Sequence, residues 1–120
     1  LQVNLEVANE GVLVTANLMH HHPGVAKGWV QAGIAGDIVV SHNVTSVADI
    51  AAGKMTVTWA TNFSGANYVI LATAESATEL FCEISSSPAP TAGTTEIKCL
   101  DDLGAPQDPA QYHVVAFGDQ

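Results

Sequence analysis

The sequence predicts an all-β protein, an antiparallel β-sandwich of about eight to nine short strands. Short runs rich in Val, Ile, Thr, Tyr and Trp recur at roughly ten-residue intervals, with Gly, Pro, Asn and Asp between them. The clearest run, Lys54 to Trp59, sends Met55, Val57 and Trp59 to one face and Lys54, Thr56 and Thr58 to the other. This is the period of two of a half-buried strand. No repeat of about 20 to 50 residues stands out, so a solenoid or propeller is not supported.

At the N-terminus Val3, Leu5 and Val7 alternate with Asn4 and Glu6, and a second apolar run, Val12 to Leu18, follows the turn Asn9-Glu10-Gly11. This predicts a hairpin, or a segment lying between subunits, over residues 1–19 of a single domain spanning 1–120. The turn His20-His21-His22-Pro23-Gly24 precedes a strand over Ala26 to Gln31, with Trp29 on the face of Lys27 and Gln31. Gly33, Gly36 and Asp37 mark the next turn, before Ile38 to Val40. Further strands are expected over Lys54 to Ala60, Tyr68 to Thr73, Leu80 to Ile84, Thr94 to Leu100 and Gln111 to Phe117. Thr45 to Ala52 and Ala72 to Glu79 are the only places for a short helix, and neither holds helical periodicity for long.

The 120 residues are 48% apolar and only 12% charged, half the charge of a typical soluble domain at roughly 25%. Much of the surface is then neutral and easily buried against another chain. Three lysines, no arginine and a net charge of -9 argue against nucleic acid, whose phosphates need clustered Lys and Arg, and against anionic membranes. No apolar run approaches the roughly 18 to 20 residues of a membrane span, and LQVNLEVANE has neither the basic start nor the apolar block of a signal peptide. Without an initiating Met, Leu1 reads as the start of an ordered or processed fragment.

Cys82 and Cys99 flank the loop Ser85 to Gly93 symmetrically, so a hairpin there sets Cys82 opposite Cys99 and Ile84 opposite Ile97. The placement allows a cross-strand disulfide. It also suits two buried thiols in a reducing cytoplasm, the reading that compartment favours.

On an extended strand His20 and His22 share one side, a pair that could bind a metal. In a trimer three such pairs would offer six imidazoles to an octahedral divalent transition metal on the threefold axis; otherwise no cofactor is expected. Ser41 or Ser46 with His42 and Asp49, or His113 with Asp101 or Asp102, are the nearest approach to catalytic sets, and none has a nucleophile motif around it. A non-enzyme is expected. Asn43-Val44-Thr45 and Asn62-Phe63-Ser64 fit the N-glycosylation triplet, which matters only in a secreted eukaryotic protein. Trp29 and Tyr112 are the candidate ligand-stacking or interface aromatics.

Three segments resemble one family. HPGVAKGWV (His22 to Val30) is similar to its "HP..AKAWV" segment, NVTSVADIAAGKMTVTWATNFSGANYVI (Asn43 to Ile70) to its "NVSSITDNGTGDYTVTFATAFSSANY" pattern, and YHVVAFGDQ (Tyr112 to Gln120) to its closing strand. The family comprises the C-terminal β-rich domains of tailed-bacteriophage tail-fibre, appendage and other virion proteins. Gly28 and Gln31-Ala32-Gly33 depart from it, and Leu1 to Met19 and Phe81 to Asp108 have no counterpart. The resemblance implies a homotrimeric virion structural protein assembled in the host cytoplasm, a tail-fibre or appendage knob among other virion proteins. Its further implied partner is a host-surface glycan or protein. Alternatives are a capsid decoration or cement protein of the same fold and, in another class, a carbohydrate-binding module or adhesin.

Overall fold

A computed structural model of the chain describes residues 15–120, apart from the side chains of Ala16 and His20. It is a β-sandwich. Among the described residues one short helix, α1 (Ala16–His21), precedes eight strands: β1 (Ala26–Gly33), β2 (Ile38–His42), β3 (Val44–Ala51), β4 (Lys54–Trp59), β5 (Val69–Glu75), β6 (Phe81–Ile84), β7 (Thr94–Leu100) and β8 (Gln111–Phe117). The first sheet runs β2-β1-β8-β5 and the second β3-β4-β7-β6, with every pairing antiparallel.

The alternation expected in β4 holds, with Met55, Val57 and Trp59 buried. They meet Ile97 and Cys99 from β7, Val30 and Ala32 from β1, and Tyr112, Val114 and Ala116 from β8 in one core between the sheets. Each large apolar side chain so buried contributes about 1.5–3 kcal/mol relative to leaving it exposed.

Two local expectations need correcting, and one of the two places left open for a short helix is a strand. The run Val12 to Leu18 does not continue as a strand: Thr15 accepts the Leu18 N–H at 3.3 Å and starts α1. The rest of the expected hairpin, residues 1–14, lies outside the described residues. Thr45 to Ala52 is not helical but falls in β3, an edge strand whose outward residues hide its period. Cys82 and Cys99 are joined as a disulfide rather than left as thiols. The expected register is present, and the 4.2 Å between their Cα atoms is the close spacing of a non-hydrogen-bonded antiparallel pair.

The chain changes sheets at Asn43, whose positive φ of 56° turns β2 into β3 in a single residue. Asn43 fits because its short side chain tolerates the left-handed region and bonds locally. Its Oδ1 accepts the Thr61 N–H at 2.6 Å, and its amide donates to the Thr61 carbonyl at 3.1 Å.

Trp59, Phe63 and Tyr68 close one end of the core. Phe63 and Tyr68 stack with parallel rings 3.9 Å apart, and the indole meets both edge-on. The Trp59 indole N–H donates to the Tyr68 hydroxyl at 3.0 Å, while that hydroxyl lies 3.0 Å from the Thr91 carbonyl and 3.1 Å from that of Thr94. Burial raises the Tyr68 pKa, and the bond from Trp59 works in the other direction.

The residues around α1 are held on the sandwich by Lys27, one of the few buried charged groups. A β-bulge between Ala26 and Gly28 turns it away from the face of Trp29 and Gln31, where sequence alternation had set it. Its ammonium donates to the Met19 carbonyl and to the His22 carbonyl, the latter at 3.0 Å. Carbonyls at a helix C-terminus lack intrahelical donors, so a cation there satisfies them. His21 Nδ1 adds a 2.6 Å bond to Asp119, which lowers the pKa of that exposed carboxylate.

Candidate functional site

The two outer faces differ in chemistry. That of the second sheet carries Lys54, Lys98, Glu83 and Glu96. On the first sheet the register sets out a different grid. His42, Trp29, Val115 and Leu71 lie side by side across the four strands, and the next row is Val40, Gln31, His113 and Thr73. Beyond it come Gln111 and Glu75, and on the other side Phe117 and Val69. One half of this face is apolar and the other carries hydrogen-bonding groups.

A trough of about 400 Å³ crosses the middle of the face. Trp29 and Val40 bound it on one side and Leu71 and Thr73 on the other, with His113 and Val115 between. Trp29 is 37% exposed and stacks on His42 with ring centroids 6.2 Å apart. His113 Nε2 donates to Glu75 at 3.2 Å, and the Gln31 amide donates to the Gln111 side-chain carbonyl. This is the strongest candidate site among the described residues: concave, largely apolar, with a few convergent polar groups.

Of the residues expected to carry function, Trp29 is where the sequence put it. Tyr112 is not. It alternates with His113 and faces the core at 2% exposure, so it cannot stack on a ligand or partner. Its pKa is pushed up to about 12, first by burial and then by the negative charges of Asp108 and Asp49. A group that ionises less readily folded than unfolded contributes stability fully present below the unfolded pKa of about 10 and lost as pH rises toward the folded value. Alkaline titration followed by circular dichroism should therefore show stability falling between pH 10 and 12, with a shallower fall in Tyr112→Phe.

The extended strand on which His20 and His22 would share one side is not formed: His20 lies in α1 and His22 caps it. His22 Nδ1 accepts the Gly24 N–H at 3.0 Å instead. Among the described residues no group of three or more His, Cys, Asp or Glu gathers as a metal site. No hydrogen bond among the described residues joins the members of either catalytic set. His42 stacks on Trp29, His113 pairs with Glu75, and Asp101 accepts the Leu103 and Ala105 N–H groups at 2.9 and 2.8 Å to shape its own loop.

Glu75 and Gln111 went unnoticed in the sequence because only the β5–β8 register brings Glu75 beside His113. Among the described residues no helix is long and apolar enough to cross a membrane. Comparison with protein-family models, with curated proteins and with solved structures finds no match to this chain.

Proposed function

We propose that this chain is a structural domain of a tailed-bacteriophage virion, a homotrimeric tail-fibre or appendage knob whose open face meets the host surface. One observation carries the reading: the three segments that resemble that family pack on one another. Gly28 of the first lies against the Trp59 ring of the second, where a Cβ would approach Cζ3 to 2.6 Å. Gly118 of the third lies against Tyr68 and Phe63 of the second, where a Cβ would fall 2.7 and 3.0 Å from their nearest atoms. Segments far apart in sequence thus form a single packing unit, as expected if the resemblance reflects a shared core rather than three coincidences.

The flank formed by β2 and β3 supports burial between copies. Ile34 just before β2, Ile38 and Val39 in β2 and Ile50 in β3 are all exposed. The disulfide supports work outside a reducing cytoplasm, since such bonds persist on virion and cell surfaces.

Light scattering on the purified chain and antibody labelling of particles in the electron microscope test this. A three-chain mass with label at fibre or appendage tips is the expected result. Label spread over the head would make it a capsid decoration protein of the same fold. A monomer absent from particles would end the proposal.

A further inference from the structure

We infer that the trough on the outer face of the first sheet is a subsite for one neutral hexopyranose ring, with Trp29 as its stacking wall. This deepens the virion reading by naming what the open face would bind at a cell surface. Its failure would leave the particle-labelling result untouched.

The ligand class follows from the two halves of the trough. A pyranose has an apolar face of C–H groups and a rim of hydroxyls, and an aromatic wall beside hydrogen-bonding side chains matches both. Trp29, Val115 and Leu71 supply the apolar half. Gln31, His113 and Thr73 supply the other.

These polar groups are already positioned. The bond between Gln31 and Gln111 uses one polar atom of each amide, leaving Gln31 Oε1 to accept and Gln111 Nε2 to donate. The His113 bond to Glu75 uses Nε2 and leaves Nδ1 as an acceptor on a residue paired with Gln31 on one side and Thr73 on the other. Fixed acceptors and donors side by side suit vicinal hydroxyls, each of which both donates and accepts.

Charge decides between sugar classes. The chain carries a net -9, and Glu75 stands at the polar end of the trough with no lysine on the grid. An acidic sugar would bring a carboxylate toward that negative end, so the site favours uncharged rings.

Trp29 and Trp59 are the only tryptophans, and Trp59 is buried, so emission from Trp59→Phe reports the trough directly. The probes are methyl β-galactoside, methyl β-glucoside and N-acetylglucosamine, with glucuronate as the acidic comparison. Saturable change with at least one neutral probe, weaker with glucuronate, is expected. Saturation-transfer NMR on the unmodified chain should show the same preference. Trp29→Ala and Gln31→Leu should each lower the NMR-measured affinity by about tenfold, an effect of the order of 1.4 kcal/mol. Because both side chains face outward, their melting temperatures should stay near that of the parent, keeping loss of binding separate from loss of fold.

No response to any neutral probe at the limit of sugar solubility would overturn the assignment, as would affinity unchanged in Trp29→Ala. So would emission that shifts with protein concentration in the absence of sugar, because the face would then be covered by another copy.

Discussion

Reducing the Cys82–Cys99 bond should destabilise the protein by about 3 kcal/mol, the loop-closure contribution for a bridge of this span, and lower the melting temperature by on the order of 10 °C. The two cysteines are 17 residues apart. They also tie β6, the four-residue edge strand of the second sheet, to β7. β6 is weakly placed without that bond, since its outward residues Phe81 and Glu83 are exposed. Hydrogen exchange in reductant should therefore quicken first at the amides of β6. Thermal melts with and without reductant, repeated on Cys82→Ala/Cys99→Ala, measure the effect. A melt that reductant leaves unchanged would show that the bond does not form or does not contribute.

The second large effect is at Gly28. A strand glycine costs roughly 0.5–1 kcal/mol relative to alanine in backbone entropy, so propensity alone says that Gly28→Ala should stabilise. Packing says the reverse. The new Cβ would fall 2.6 and 2.7 Å from two atoms of the buried Trp59 ring, and overfilling a tight core costs about 1–3 kcal/mol. Gly28→Ala should therefore destabilise by about 1–2 kcal/mol after the propensity gain is subtracted. In a Trp59→Phe background the smaller ring makes room, and the same change should become neutral or favourable. Chemical denaturation of the four proteins of this cycle should give a coupling of at least about 1 kcal/mol. Additive effects would mean that Gly28 and Trp59 do not sense each other.

Signals confined to one strand or one turn were legible in the sequence. Met55, Val57 and Trp59 gave the inner face of β4 because a central strand sends alternate residues into the core and out of it. The symmetric loop between Cys82 and Cys99 gave the β6–β7 register, which is set by the turn. What escaped was decided by distant partners. Among the described residues β3 pairs on one side only, so Ala48, Asp49 and Ile50 are exposed whichever face they take and its pattern lacks a clean period. Tyr112 shows its face only once β8 is set between β1 and β5. The bulge that withdraws Lys27 from the face of Trp29 is a mismatch against β8 and cannot be seen from β1 alone. The trough was half legible: Trp29 beside Gln31 follows from alternation, but the Glu75–His113 pair spans 38 residues.

The position of β8 also sets when the first sheet can close. It follows the other seven described strands, yet it sits in the middle of the first sheet and supplies the partners of both β1 and β5. Until a ribosome has released Gln111–Phe117, the described residues offer β1 only β2 to pair with and offer β5 no neighbour in its sheet. The second sheet is complete by Leu100 and can form earlier, but the apolar face it would bury against the first sheet has nothing stable to cover it. Closure of the first sheet is thus gated by β8. A nascent chain stalled before Gln111 should expose β1, β5 and the core face of the second sheet together, making it the most aggregation-prone species in the protein's synthesis.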